Sequence, residues 1–128
     1  MTEFSNLEKM EVGQLIRIKQ LNFGVNDHKI TSGMHAVLDE IFEFLEGNSD
    51  VRIEIGGHTN TLPSDEYCDW LSGNRSYAVA EYLWNKGLAK ERVSYKGYGK
   101  RKPIDTSGTT AGHKKNQRVE IKILSVND

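Results

Sequence analysis

The chain has 128 residues, enough for one domain with its own hydrophobic core. A hydrophobic content of 37% and a charged content of 27% are typical of a globular protein, and no run of 18 apolar residues predicts a membrane-spanning helix. The net charge of −1 hides a basic C-terminal third, where nine Lys or Arg residues between Arg92 and Lys122 face only two acids. Such a segment can contact phosphates, but its basic clusters "GKRKP" and "HKKNQR" lack interleaved aromatic residues for base stacking. A solvated surface is therefore favoured over nucleic-acid binding.

The N-terminal half predicts a leader, a strand and a helix. Residues 1–12 are predicted to be a disordered leader or linker, and residues 13–126 a single domain. A strand is predicted from Gln14 to Phe23, which is rich in branched apolar residues. Apolar spacings of three and four then predict an amphipathic helix with Ser32 as its N-cap and an end at Gly47 and Asn48. Its apolar stripe consists of Met34, Val37, Leu38, Ile41 and Leu45.

The C-terminal half predicts three more strands and two more helices. "VRIEI" at 51–55 alternates as a half-buried strand does, and a helix follows from an N-cap at Ser64 to Lys86 and Gly87. "RVSYKGYG" predicts a third strand and "TTAGHKKNQ" a short helix. "RVEIKIL" predicts a last strand with Val119, Ile121 and Ile123 inward. This order predicts an α+β fold, a single βαβαβαβ two-layer domain with helices packed on one mixed sheet.

The polar stretch after the second strand carries the candidate chemistry. The four histidines have no metal-ligand spacing, so neither a metal nor a cofactor is predicted. Cys68 lies near the predicted start of a helix, where a thiol pKa can be lowered, and His58 is a conceivable base. No nucleophile motif surrounds this cysteine, the only one in the chain. A packing role for Cys68, and no catalytic residue, is the prediction.

Arg75 is the strongest candidate for binding. It lies in a helix whose neighbouring stripe is apolar, and a buried guanidinium needs a partner. It can clamp a ligand carboxylate through two parallel hydrogen bonds, or form an internal salt bridge to Asp69 or another acid. The residues alone leave both possibilities open.

Four short motifs follow one another in a fixed order along the chain. They are "GGHT" after the second strand, "LSGNRS" in the next helix, "GYGKRKPI" after the third strand and "NQRVEI" at the last strand. Together they make the chain, from about residue 14 to residue 124, resemble the OmpA-like (OmpA/MotB C-terminal) peptidoglycan-binding domain. Each motif alone is weak, but the shared register is highly specific.

The resemblance implies a domain that binds peptidoglycan non-covalently outside the cytoplasm and is not an enzyme. In the family, a loop Asp and a helix Arg hold the ammonium and carboxylate groups of diaminopimelate in the stem peptide. Arg75 matches that Arg, whereas Asn60 stands where the family has Asp. Thr59 matches the pocket-lining loop and Arg118 the second basic residue of the family's Asn-Arg-Arg motif. Asp69 is predicted to orient Arg75.

The same resemblance implies the partners. They are the peptidoglycan stem peptide and, in the same longer chain, an outer-membrane barrel, a lipoprotein or another envelope domain. The implied location is periplasmic, without membrane insertion of this domain. Because Asn60 and Cys68 replace the family's Asp and Asn, the alternative is a structural interaction domain of the same fold with weak or lost peptidoglycan affinity. Nearby Asp65, Glu66 or Asp69 are candidates to supply the missing negative charge.

Overall fold

The computed structural model describes residues 11–61 and 63–126. Within this part, the predicted βαβαβαβ order is confirmed. Its elements are β1 (Leu15–Arg17), α1 (His35–Gly47), β2 (Arg52–His58), α2 (Asp65–Asn85), β3 (Val93–Gly99), α3 (Thr110–Asn116) and β4 (Arg118–Ser125). The predicted leader over residues 1–12 lies outside the described residues, apart from Glu11 and Val12. None of the described helices combines the length and hydropathy needed to cross a membrane.

The four strands form one mixed sheet in the order β1-β4-β2-β3. β2 and β3 are parallel, whereas β4 is antiparallel to both β1 and β2. At the end of β2, His58 lies opposite Arg118 of β4 and Gly99 of β3. The register to β3 shifts between Gly57 and His58, an irregularity of the kind that redirects the chain next to binding sites. The polar loop after β2 is therefore held between the start of β4 and the end of β3.

One hydrophobic core lies between the sheet and the helices. It contains the inward residues of the strands, such as Ile53, Ile55 and Ile121, and the predicted apolar stripe of α1. Val79, Ala80 and Leu83 of α2 pack into the same core. The alternate residues of β2 and β4, Glu54 and Glu120, are only half-buried, so charged side chains occupy the other face of the sheet. The predicted two-layer arrangement is confirmed.

Glycines let α2 lie directly on the sheet. A Cβ atom at Gly57 of β2 would be 2.4 Å from the carbonyl oxygen of Ser72, and one at Gly97 of β3 would be 2.5 Å from the amide nitrogen of Gly73. Both distances are too short for a real Cβ contact. This close approach sets the distance between the sheet and the middle of α2, and it therefore also sets the position of Arg75.

The start of α2 follows the sequence prediction. Ser64 is the N-cap, and its Oγ accepts a hydrogen bond from the Tyr67 amide at 3.3 Å. Asp65 and Glu66 occupy the first turn, where the helix dipole favours acids. The cap fixes where the helix begins, one residue after Ser64.

Two predicted boundaries in the N-terminal half are wrong. β1 ends at Arg17 rather than Phe23, because Ile18 makes a last bond to Val119 of β4 and a turn closes from Leu21 back to Ile18. Ser32 is not the N-cap of α1, because it lies inside a 3₁₀ turn, Ser32–Met34, that leads into the helix. Shortening β1 places the following residues in a loop that reaches α2.

Candidate ligand-binding cleft

A cleft lies where the loop after β2, the first half of α2 and the loop before α1 meet. It has two adjoining depressions, of about 400 and 300 Å³, which share Arg75 and Gln117. The lining of the larger one includes Asn26, Thr59, Asn60 and Tyr67. The lining of the smaller one includes Phe23, His58 and Arg118. No Asp or Glu is among the described residues that line either depression, so the cleft carries positive charge.

Arg75 is a buried cation without an acidic partner in the part of the chain that the structure describes. Its side chain is 6% exposed, and Nε and Nη2 donate to the backbone carbonyls of Asp27 at 2.8 Å and Gly24 at 3.0 Å. Its guanidinium carbon lies 5.4 Å from the centre of the Phe23 ring. Burial lowers the pKa of Arg75 from its ordinary value, opposed by the charges of Tyr67 and Asp27, but a guanidinium stays protonated. Among the described residues, no carboxylate oxygen lies within 4.0 Å of an Arg75 nitrogen, the limit for an ion pair.

The predicted contact between Asp69 and Arg75 is wrong. The Asp69 carboxylate accepts hydrogen bonds from Arg101, at 2.7 Å from Oδ2 to Nη2, and this contact holds the pKa of Asp69 below its ordinary value. The helical repeat explains the error, because residues six positions apart lie roughly 240° apart around the axis. Asp69 and Arg75 therefore point from different sides of α2. Asp65 is likewise 3.8 Å from Lys100 and does not line the cleft.

Thr59 and Asn60 form the wall of the cleft after β2. The Thr59 amide donates to the carbonyl of Gly99 at 2.9 Å, which ties this loop to the end of β3. Its hydroxyl donates to the carbonyl of Asn60 at 3.1 Å. The thiol of Cys68 lies 3.8 Å from the same carbonyl and is fully buried, in agreement with the predicted packing role. The loop is thus held from both the sheet and α2.

Arg118 lies in the cleft but is held by the protein. Its Nε donates to Glu120 at 2.8 Å, and its other nitrogens donate to the carbonyls of Asn116 at 3.1 Å and Lys102 at 2.9 Å. His58 Nε2 lies 3.2 Å from the same Glu120 carboxylate. The hydrogen bond from His58, and then that from Arg118, lower the pKa of Glu120 to about 2. This cluster fixes the end of β2 against β4.

The basic C-terminal third is largely paired within the domain. Lys100 and Arg101 face Asp65 and Asp69, and Arg118 faces Glu120. Arg92 donates to backbone carbonyls around the end of α1. Among the described residues, no group of His, Cys, Asp or Glu side chains is arranged to hold a metal ion.

A sequence model of the OmpA family matches residues 22–117, most of the chain. The chain belongs to the OmpA family. This OmpA-family domain is 30% identical over 115 residues to the peptidoglycan-associated lipoprotein of Buchnera aphidicola, covering 90% of the chain and 64% of that relative. It is 31% identical over 101 residues to the peptidoglycan-binding protein ArfA of Mycobacterium tuberculosis, covering 79% and 31% respectively. The chain therefore spans from about a third to somewhat under two thirds of the length of these relatives.

Solved structures show the same fold as this OmpA-family domain. The periplasmic domain of MotB from Helicobacter pylori superposes with a TM-score of 0.77 at 23% identity, covering 91% of the chain and 79% of that structure. The cell wall anchor of the type VI secretion system of Pseudomonas aeruginosa gives 0.72 at 23% identity, covering 87% and 79%. The names of the two relatives describe a peptidoglycan-associated and a peptidoglycan-binding protein rather than enzymes, which agrees with the prediction that the domain is not an enzyme.

Sequence reasoning missed the loop that holds Arg75 in this OmpA-family domain. The loop at 22–27 supplies the Phe23 ring and two backbone carbonyls to Arg75, and Asn26 accepts a hydrogen bond from the hydroxyl of Tyr67. Asn26 has a φ of 57°, a conformation that Asn tolerates better than most residues. Backbone carbonyls carry no signature in a sequence, so only the Gly-Asn-Asp composition hinted at an ordered turn here.

Proposed function

We propose that this domain binds peptidoglycan non-covalently by gripping the diaminopimelate of a stem peptide, and so anchors an envelope protein to the cell wall. Two relatives in the same family are named for peptidoglycan binding or association. Within the cleft, Arg75 and Asn60 take the carboxylate and the ammonium of the ligand, and Thr59 shapes the wall between them. Arg118 adds positive charge beside Arg75 while it stays bound to Glu120.

The charge of Arg75, which forms no ion pair with a carboxylate of the described residues, carries this proposal. A buried cation without an acidic partner is costly, so an anionic group that enters the cleft and faces Arg75 is favoured. Two of its nitrogens are fixed by backbone carbonyls, so the guanidinium plane is already oriented before a ligand arrives. A preorganised donor loses little rotamer entropy on binding and therefore favours affinity.

Asn60 offers a weaker partner for the ligand ammonium. Its amide oxygen can accept a hydrogen bond but carries no charge. Of the three acids suggested as substitutes, Asp65 and Asp69 face Lys100 and Arg101, and Glu66 is exposed and does not line the cleft. The cleft thus favours a ligand held mainly through its carboxylate, with the ammonium as a secondary contact.

The wider role follows from the family context. We place the domain outside the cytoplasm, in the periplasm, as the wall-binding part of an outer-membrane barrel protein, a lipoprotein or another envelope protein. The chain matches only part of the length of the lipoprotein and of ArfA, as expected for a module that serves larger proteins. Peptidoglycan is then the ligand of this domain, and the envelope domain joined to this domain is the part that is anchored to the cell wall.

Two stem peptides that differ in one group test the proposal. Diaminopimelate differs from lysine by one carboxylate at the end of its side chain, so the two peptides isolate the contact with Arg75. By titration calorimetry we expect the diaminopimelate peptide to bind roughly 10- to 100-fold more tightly, the range for a hydrogen-bonded charged group. Arg75→Ala should remove this preference, and Arg75→Lys should keep only part of it, because Lys lacks the planar fork.

Arg92→Ala is the matched control. Arg92 also donates to backbone carbonyls, those of Leu45, Asn48 and Val51 at 2.7–3.2 Å, but lies outside the cleft. Its loss should lower stability and leave the preference between the two peptides intact. Equal binding of both peptides by the native protein, or a preference that survives in Arg75→Ala, would show the assignment to be wrong.

The alternative is a structural interaction domain of the same fold that has lost peptidoglycan affinity. The neutral Asn60 and the occupied donors of Arg118 favour it. Sedimentation with purified sacculi separates the two functions. A peptidoglycan-binding domain appears in the pellet and leaves it when free diaminopimelate peptide is added, whereas the alternative stays in the supernatant.

A further inference from the structure

Exposed aromatic residues follow α2 away from the cleft. Trp70 is 53% exposed and Tyr77 is 39% exposed, although large aromatic side chains are usually buried. The Trp70 ring makes an edge contact with His28 at 5.4 Å between centroids and stacks on Tyr67 at 6.0 Å. Tyr67 in turn lines the cleft beside Arg75. Trp70 therefore stands at the rim of the cleft, on the outer surface of the helix.

A groove, here called the α2 groove, lies along the same helix, and its lining residue His28 is the one that contacts Trp70. It has a volume of about 1020 Å³ and is lined by His28, Asn74, Tyr77, Glu81, Tyr82 and Asn85, among others. The amide nitrogen of Asn74 donates to the carbonyl of Trp70 at 2.7 Å, and the amide oxygen of Asn74 is a further possible acceptor in the lining. From residue 70 to residue 85 the helix extends over roughly 22 Å. The groove thus lies along α2 and meets the rim through the contact between His28 and Trp70.

We propose that the α2 groove binds the glycan strand of peptidoglycan, with Trp70 and Tyr77 as platforms for sugar rings. Pyranose rings present flat apolar C–H faces, which suit aromatic side chains, and hydroxyl and acetamido groups, which suit amides and carboxylates. Besides His28, the lining contains one lysine, Lys29, and one acid, Glu81. That balance favours a neutral polar polymer over a polyanion or a strongly charged protein surface.

The covalent structure of the ligand supports the same assignment. The inference rests on the proposed function, because a stem peptide seated at Arg75 is attached to a sugar ring that must leave the cleft at its rim. Tyr67 and Trp70 form part of that rim, and the groove begins beyond them. A single chain of contacts thus leads from the peptide site to the groove without crossing the core.

Three ligands test the groove separately from the cleft. They are a diaminopimelate stem peptide without sugar, an N-acetylglucosamine tetramer without peptide, and a disaccharide that carries the stem peptide. We expect the third ligand to bind about tenfold more tightly than the peptide alone, since aromatic contacts of this kind give gains of that order. Tyr77→Ala, at a residue that lines the α2 groove and not the cleft, should reduce that gain and leave the affinity for the peptide alone unchanged. The double variant Trp70→Ala with Tyr77→Ala should abolish most of the gain. Ile104→Ala is the control, because Ile104 is 52% exposed and lines neither the cleft nor the α2 groove. It should change neither the affinity for the peptide nor the gain from the disaccharide.

Tryptophan fluorescence gives a second readout. The chain has two tryptophans, and Trp84 is half-buried against the core. Addition of the sugar tetramer should shift the emission of the native protein but not that of Trp70→Ala. Peptide binding without any gain from the disaccharide would overturn the groove and leave the proposed function standing. Sugar binding that depends on Trp70, without any peptide binding, would overturn the proposed function and leave the groove standing.

Discussion

Asn60 is a neutral cleft residue at a position where the resemblance to OmpA-like domains implies an Asp. It lines the same depression as Arg75, and its backbone carbonyl is held by Thr59 and Cys68. The described residues that line the cleft include no carboxylate, so nothing there replaces the charge that an Asp would bring. The neutral side chain of Asn60 therefore adds no negative charge beside Arg75.

Asn60→Asp should therefore tighten the binding of a diaminopimelate peptide. A charge-assisted hydrogen bond to the ligand ammonium adds on the order of 1 kcal/mol over a neutral one, which corresponds to roughly fivefold in Kd. The gain should shrink with added salt, because part of it is Coulombic. Calorimetric titration of both proteins with one peptide at low and high salt measures this. Unchanged or weaker binding would mean that a new ion pair between the introduced carboxylate and Arg75 outweighs the ligand contact.

The substitution Cys68→Ser tests whether the thiol of Cys68 has any role beyond packing. It is fully buried, and its Sγ points to the carbonyl of Asn60. Cys68→Ser replaces it with a nearly isosteric hydroxyl that can donate to the same carbonyl. We expect unchanged peptide affinity and a loss of stability of about 1 kcal/mol or less. A large loss of affinity at unchanged stability, measured by calorimetry and urea unfolding, would contradict the packing role.

At the scale of elements, the contact of α2 with β3 decides where Arg75 lies. Gly97 and Gly73 face each other across this contact, but only one of them lacks room for a side chain. A Cβ at Gly97 would be 2.5 Å from the backbone of Gly73, whereas a Cβ at Gly73 would meet nothing within 4 Å. Alanine substitutions at these two glycines therefore distinguish the effect of close packing against the sheet from the effect of helix propensity.

Gly97→Ala should destabilise the domain and Gly73→Ala should not. The first substitution forces α2 away from the sheet, at a cost of about 1–3 kcal/mol. The second replaces a helical glycine in open space and should add up to about 1 kcal/mol of stability. Urea unfolding measures whether the free energy of unfolding falls in Gly97→Ala and rises in Gly73→Ala. Peptide affinity should fall in Gly97→Ala alone, because only that change moves Arg75; equal effects of the two substitutions would refute the packing argument.

At the scale of the whole molecule, the cleft is assembled from segments that are distant along the chain. The loop at 22–27, the residues after β2, the first half of α2 and Arg118 at the start of β4 all contribute. Because the cleft exists only in the folded domain, a ligand that binds there raises the free energy of unfolding. The cluster of His58, Glu120 and Arg118 ties two of these segments together and makes the assembly sensitive to acid.

Glu120 should make stability fall in acid. Its pKa is lowered from 4.5 to about 2, so its contribution is fully present above pH 4.5 and is lost as the pH falls towards 2. With allowance for solvent screening, this contribution is about 2 kcal/mol. Glu120→Gln should be less stable than the native protein at pH 7, and the difference should narrow between pH 4.5 and pH 2. Urea unfolding across this range tests it, with Glu40→Gln, on the exposed side of α1, as the control. A difference independent of pH would contradict it.

The sequence by itself determined the order of the elements, the residues of the core and the family. Periodic apolar residues reveal which face of a helix or strand is buried, because burial repeats with the geometry of the element. It also singled out Arg75, Thr59 and Asn60, which the structure brings together in one cleft. Their role in binding stays a prediction.

Only the tertiary structure decided what each polar group contacts. Arg75 donates to carbonyls 48 and 51 residues away, and Asp69 pairs with Arg101, 32 residues away. Such contacts depend on how loops cross the ends of the strands, and no local periodicity encodes them. For the same reason β1 is shorter than its apolar run, since a strand ends where its partner no longer offers hydrogen bonds, whatever its own composition.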